Sequence, residues 1–324
     1  MDYAVVKDID IGDIPVVDIA VLHGARDADI DAVGQQLRQA AETVGFFYIR
    51  NHGIPDDLIE RTFAVANKFF ASPIERKREA TITPHHRGFL EIGGSTMEGQ
   101  AHADRKESFV WGRDVALDDP DIFPGDTLTA PNNWPAFLPE MRDILNAYLS
   151  AANRCGAKML KALAASLGIE HDYFIRSFDR PISRGALVHY PPQAPDLGAD
   201  HFGVSPHTDF GCMTLLCQDM TGGLRVQGRR GEWLTAHPIE GTLVVNVGDL
   251  LARWTNDRFQ STRHAVVNTS GAERLSIPVA VDPNWETAIE PVTLAGENAH
   301  YPSVRCGDYI VGRFDKSFAY RKQD

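Results

Sequence analysis

His207 and Asp209 stand two positions apart in the stretch Ser205-Pro206-His207-Thr208-Asp209-Phe210-Gly211. In an extended chain, residues two apart point to the same face, so an imidazole and a carboxylate can aim at one point. Taken singly, the pair is as well explained by a core histidine bonded to Asp209, and a His-x-Asp arises by chance about once in a few hundred residues. A second histidine changes the balance. His264 lies about 55 residues on, in the β-rich run from Ser261 to Val267. Two neutral imidazoles and one carboxylate can occupy one face of an octahedral metal. That leaves three adjacent positions open, the arrangement of non-haem Fe(II) oxygenases. A 2-oxo acid fills two of them through its keto oxygen and C1 carboxylate, and dioxygen takes the third.

A third group fits the same chemistry. Arg274 and Ser276 form another same-face pair, about ten residues after His264, at the start of the apolar run Leu275-Ser276-Ile277-Pro278-Val279. The distal carboxylate of 2-oxoglutarate, held inside a protein, needs a fixed cationic partner because an unpaired buried charge is costly. A guanidinium meets a carboxylate with two hydrogen bonds, and a serine hydroxyl adds another. Tyr190, at the end of an earlier apolar run, is placed to donate its hydroxyl to the same group; its alternative is a packed aromatic with a local partner.

These residues need a frame. Ile14 to Ile19 reads as a short strand. Ile30, Val33, Leu37, Ala40, Ala41 and Val44 recur at helical spacing and predict an amphipathic helix over about 28–44, ended by Gly45. Phe46 to Ile49 follows as a strand, and a second helix runs from Pro55 to about Phe70. Residues from about 84 to 132 read as loop-rich, and a long helix spans about Pro139 to Leu167. After Pro181 the texture changes to short Val-, Leu-, Ile- and Thr-rich runs between Gly, Pro, Asn and Asp, the pattern of a sandwich or barrel. Helices before and strands after predict an α+β protein with a β core in its second half. The expected division is 1–180, a helical and strand region packing on the core, and 181–324, the core itself, in one compact unit.

In these motifs and their order the sequence resembles the isopenicillin N synthase-like branch of the 2-oxoglutarate/Fe(II)-dependent dioxygenases. Ile14-Pro15-Val16-Val17-Asp18 matches the family's opening strand, and Gly45 to Ile54 its first helix-to-strand passage. Asp104-Arg105-Lys106-Glu107-Ser108-Phe109 resembles a segment near the active-site mouth. Ser205 to Gly211 matches the first metal motif. Asn246-Val247-Gly248-Asp249, Thr255 to Phe259 and Ser261 to Val267 match the approach to the second histidine, and Arg274-x-Ser276 the co-substrate motif. The resemblance implies a double-stranded β-helix, or jelly roll, wrapped by N-terminal helices and a long central helix. It implies that His207, Asp209 and His264 ligate Fe(II), and that Arg274, Ser276 and Tyr190 hold 2-oxoglutarate, with O2 as oxidant. The reaction class is oxidation of a small organic molecule (hydroxylation, desaturation, cyclisation or dealkylation) with release of succinate and CO2. Two positions depart from the usual pattern: Val188 where many members carry Asn, and Ala265 where many carry Arg. Phe109, Trp111 and Phe210 are candidates for the substrate pocket and Arg87 for an anionic substrate; against them stand core aromatics and a solvated arginine.

Composition narrows the rest. Hydrophobic residues make up 43% and charged residues 23% of 324 residues, an ordinary globular balance, and the net charge of -12 disfavours nucleic acid as a partner. Cys155, Cys212, Cys217 and Cys306 form no Cys-x-x-Cys pair, which argues against a zinc knuckle and for reduced thiols in a cytoplasmic setting. Met1 to Asp8 has no basic start leading into an apolar stretch, and no membrane span is expected. No obligatory protein partner is implied. Three alternatives stay open at this stage: an oxidase like isopenicillin N synthase that needs no 2-oxoglutarate, a non-catalytic metal-binding jelly roll, and a zinc hydrolase on the same ligands.

Overall fold

The computed structural model describes residues 14–24, 27–96, 102–120, 122–192, 202–268 and 270–321. Met1 to Asp8, the segment weighed for a leader, lies outside them. Strand β1 (Val16–Asp18) leads through a short 3-10 turn into helix α1 (Asp27–Thr43), whose Val33, Leu37, Ala40 and Ala41 are buried. Gly45 stops the helix at φ 71°, and the N–H groups of Val44 and Gly45 both donate to the Ala40 carbonyl, at 3.1 and 3.0 Å. A Cβ there would run into the Gln260 carbonyl, so the turn from helix to strand requires glycine. The chain continues as β2 (Phe46–Arg50), α2 (Asp56–Phe70) and α3 (Ile74–Arg78).

The stretch expected to be loop-rich contains two strands, β3 (Gly88–Leu90) and β4 (Glu107–Gly112). Charge hid β4. Glu107 is buried, yet it pairs with buried Lys77 at 2.6 Å, and His189 Nδ1 bonds its other oxygen at 2.9 Å. A charge satisfied in this way can sit in a sheet, although in sequence it reads as surface. Helix α4 (Glu140–Ser166) follows, with Glu140 and Asp143 in its first turn, where acidic groups complement the helix dipole.

The second half supplies β5 (Arg184–Tyr190), β6 (Val204–His207), β7 (Met213–Gln218), β8 (Leu224–Gln227), β9 (Trp233–Thr235) and β10 (Thr242–Val247). After the six-residue α5 (Asp249–Trp254) come β11 (His264–Val266), β12 (Arg274–Val281), the pair β13 (Ala288–Ile289) and β14 (Val304–Arg305), and α6 (Cys306–Ser317). Helices α5 and α6 lie in the half that sequence texture assigned to strands; α5 is too short for helical periodicity to register.

The strands build an α+β jelly roll. An eight-stranded sheet runs β1-β2-β10-β7-β12-β5-β4-β3 and faces a four-stranded sheet, β6-β11-β8-β9. Strands from before and after residue 181 thus share the larger sheet. Side chains alternate across it. One face, including Phe47, Ile49, Phe109, Trp111, Leu187, Leu215, Ile277, Val279 and Val281, joins the core that holds Leu145, Tyr148, Met159, Leu160 and Leu163 of α4. The other face turns Ser108, Val110, Ala186, Val188, Tyr190, Thr214, Leu216, Asn246, Arg274 and Ser276 toward a cavity between the sheets.

The approach of α4 to β12 is close at Gly156, where an added Cβ would stand 2.8 Å from Val281 Cγ1. The packed sheet has no room to give, so Gly156→Val should cost about 1–3 kcal/mol through overpacking. A urea titration checks this: the midpoint should fall with little change in slope, and an unchanged midpoint would mean that α4 is not fixed against β12.

Candidate active site

Strands β6 and β11 pair antiparallel with His264 directly opposite His207. That register puts the two imidazoles side by side, with ring centroids 4.2 Å apart. Asp209, two residues beyond the end of β6, swings its carboxylate to the same point. Each Nδ1 faces the carbonyl two residues back: His207 to Ser205 at 2.8 Å and His264 to Thr262 at 3.2 Å. A carbonyl only accepts, so each Nδ1 carries a proton and Nε2 is the nitrogen that each ring turns toward Asp209. The two Nε2 atoms lie 3.5 and 3.6 Å from Asp209 Oδ1, beyond ordinary hydrogen-bond length. Ligand atoms of all three residues fall within 4.8 Å of one another. Burial, and then the neighbouring His207, pushes His264 down to about 4, so it is neutral at ordinary pH. Two imidazole Nε2 atoms and a carboxylate oxygen converging on one point form a cluster that fits a divalent metal, and the donor set suits Fe(II).

The surroundings aim the ligands. Asp209 Oδ2 accepts from Thr214 Oγ1 at 2.5 Å and from Asn246 Nδ2 at 2.8 Å, which leaves Oδ1 for the metal. Burial alone would raise this carboxyl; the hydrogen bonds that Thr214 and Asn246 donate to Oδ2 favour its charged form against that burial. Asp249 ties both metal-bearing segments together. It accepts from Thr208 at 3.2 Å, Ser261 at 2.6 Å and Arg313 of α6 at 2.9 Å. Asp282 anchors the turn after Asp209 by accepting the Cys212 N–H at 2.7 Å, and it pairs with Arg184 at 2.9 Å.

At the other end of the cavity, whose volume is about 240 Å³, lies Arg274. Its guanidinium is fully buried and, among the described residues, has no carboxylate partner. It donates to Ser276 Oγ at 3.3 Å and Gln218 Oε1 at 3.1 Å, and its Nε has no partner. Tyr190 lies opposite Arg274 in the β5–β12 register and places its ring centre 4.7 Å from the guanidinium carbon, so the face of its ring belongs to this end. An orphaned buried cation beside a serine hydroxyl is a ready partner for a carboxylate. Val188 stands on the same wall and offers no donor.

Phe210 lines the cavity, under the guanidinium of Arg313 at 4.4 Å. Phe109 and Trp111 do not. They share the face of β4 that turns to the helices, and Trp111 Nε1 donates to the Leu145 carbonyl at 3.0 Å. The alternation that brings Ser108 and Val110 inward sends their neighbours out. Arg87 is neither solvated nor on the wall: it is 1% exposed and donates to the carbonyls of His85, His86 and Leu128. The motifs pointed to neither Gln218 nor His86, Arg184, Phe314 and Phe318 of the far wall; Lys106, also on the wall, lies in the segment 104–109 that resembles the active-site mouth. Strand alternation from Ser108 and Val110 would have placed Lys106 inward; the α6 residues carried no signal.

Comparison with known proteins agrees with this geometry. Residues 14–137 match the family described as non-haem dioxygenase in morphine synthesis, N-terminal, and residues 183–283 match the 2OG-Fe(II) oxygenase superfamily. A 2-oxoglutarate-Fe(II) type oxidoreductase (hxnY) of Emericella nidulans is 33% identical over 323 residues, covering 95% of this chain and 93% of that protein. A homoarginine-6-hydroxylase of Oryza sativa is 32% identical, covering 94% and 97%. Among solved structures, a full-length Neurospora crassa protein in complex with alpha-KG and thymine superposes with a TM-score of 0.84 at 30% identity, covering 94% of this chain and 98% of that one. With these matches, a jelly roll and a His-Asp-His cluster, the chain belongs to the isopenicillin N synthase-like branch of the 2-oxoglutarate/Fe(II)-dependent oxygenases and is an oxidoreductase that uses Fe(II) and 2-oxoglutarate.

Proposed function

We propose that this oxygenase oxidises a C–H bond of a small organic molecule held between Asp209 and α6. His207, Asp209 and His264 carry the iron, and Arg274, Ser276 and Tyr190 hold the distal carboxylate of 2-oxoglutarate. The observation that carries the assignment is Arg274, a buried guanidinium without an anionic partner at the far end of the cavity from the three ligand atoms. The guanidinium calls for a carboxylate ligand; the relatives that use 2-oxoglutarate and the solved structure bound to alpha-KG favour 2-oxoglutarate in that place over an oxidase whose own substrate supplies the anion, and dependence on added 2-oxoglutarate separates the two.

The protein's part is positioning. Backbone carbonyls fix the imidazole tautomers, Thr214 and Asn246 hold one carboxylate oxygen, and Arg274 sets the depth to which the co-substrate enters. Bound iron supplies activation of dioxygen, coupled to decarboxylation of 2-oxoglutarate to succinate and CO2. Apolar walls from Leu90, Val110, Phe210, Phe314 and Phe318 keep water from the reacting centre and shape the substrate.

Substituting His207, Asp209 or His264 by Ala should abolish stoichiometric Fe(II) binding under nitrogen and succinate release in air. Full activity in any one of them removes that residue from the metal site. Arg274→Ala should raise the 2-oxoglutarate concentration for half-saturation by about 100-fold, on the order of 3 kcal/mol for loss of a buried charge partner, with iron binding kept. An unchanged requirement would move the co-substrate site elsewhere.

A further inference from the structure

The substrate half of the cavity carries an unassigned charge. Among the described residues, the walls of the whole cavity hold three permanent cations, Lys106, Arg184 and Arg274, against a single carboxylate, the metal-facing Asp209. Arg274 belongs to the co-substrate end. Arg184 is anchored, with Nη2 on Asp282 at 2.9 Å and Nη1 on the Ile182 carbonyl at 2.9 Å. Lys106 is different. Its side chain is 15% exposed, and its nearest carboxylate, Asp104, stands 3.7 Å away. Asp104 is already satisfied by shorter bonds, from Ser95 Oγ at 2.9 Å and the Ser205 N–H at 2.9 Å. The Lys106 ammonium therefore has three donors and, among the described residues, no hydrogen bond, while Asp104 keeps it in place. A largely buried ammonium in this condition is stabilised by an anion within reach.

Its position is as telling as its deficit. Lys106 precedes β4 on the face that carries Ser108 and Val110 into the cavity. It lines the same cavity as the iron ligands and as Leu90, Phe210, Phe314 and Phe318, next to Leu90, which pairs with Ser108 across β3 and β4. Positive potential is concentrated there: burial, then Arg184, Arg87, Arg321 and Lys106, holds the His86 imidazole well below its ordinary range, so His86 brings no competing charge. The His86 ring packs 4.5 Å from Phe314 and 4.8 Å from Phe318.

We propose that the primary substrate is a small organic acid, whose carboxylate is bound by Lys106 and whose apolar body lies against Phe210, Phe314 and Phe318. This rests on the oxygenase reading of the site above, and makes Lys106 a determinant of substrate specificity. The chemistry predicts a preference for an acid over its isosteric amide, since only the acid offers the ammonium a full negative charge.

The test uses the full chain under nitrogen, loaded with Fe(II) and 2-oxoglutarate, whose charge-transfer band must form first. Loss of that band in the unsubstituted protein would count against the oxygenase reading and not against Lys106. Benzoate, phenylacetate, 3-phenylpropanoate and hexanoate are then titrated beside their primary amides, with displacement of the band as readout and succinate release in air as the second. At least one acid should bind ten-fold or more tighter than its amide. Lys106→Met should shrink that ratio below three-fold with the 2-oxoglutarate affinity unchanged, and Lys106→Arg should restore most of it. Three results overturn the proposal: acids that bind no better than amides, or not at all, across the series; a preference that survives in K106M; or a ten-fold loss of 2-oxoglutarate affinity in K106M, which would give the ammonium to the co-substrate.

Discussion

Two imidazole nitrogens and a carboxylate oxygen, all directed at one point, repel one another until a cation stands between them. Much of the structure serves to keep them there. The β6–β11 register sets His207 against His264, carbonyl groups two residues back lock both rings, and Thr214 with Asn246 pins the free side of Asp209. Asp249 then ties the two metal-bearing segments to α6, so the helix behind the substrate wall is linked to the ligands by hydrogen bonds. Such support fixes ligand orientation and tunes the basicity of the donors.

The larger sheet explains how one fold serves two needs. Its outer face is apolar and packs on α1, α2 and α4, while every second residue turns inward to the cavity. The inner face can therefore carry Arg274, Ser276, Asn246 and Thr214 without weakening the core, because alternation separates the two sets. A buried, unmatched guanidinium is costly to the empty protein. The same cost becomes affinity when a carboxylate arrives, which is a general way of making binding depend on the correct ligand.

The metal and co-substrate residues were legible in sequence because strand geometry is local: His207 with Asp209, and Arg274 with Ser276, share a face by two-residue spacing alone. The α+β division, α1, α2 and α4 followed from periodicity and Gly signals. What was not legible depends on register between distant strands. Gln218 reaches Arg274 because β7 lies beside β12, and Asn246 reaches Asp209 because β10 lies beside β7. Trp111 and Phe109 were drawn toward the substrate by their chemistry, yet they sit on the wrong side of β4. Arg87 reads as a surface group and is buried on backbone carbonyls. Glu107 and Lys77, each buried by the other's charge, disguised a strand as a loop.

The central claim is that the three-residue cluster and Arg274 act on one metal-bound co-substrate. The most direct measurement is an anaerobic titration of 2-oxoglutarate into the Fe(II)-loaded protein, followed by visible absorbance. A weak charge-transfer band that saturates at one equivalent per iron, and that requires far more 2-oxoglutarate in the Arg274→Ala variant, is the result expected. Iron bound at full stoichiometry with no band at any 2-oxoglutarate concentration would contradict it.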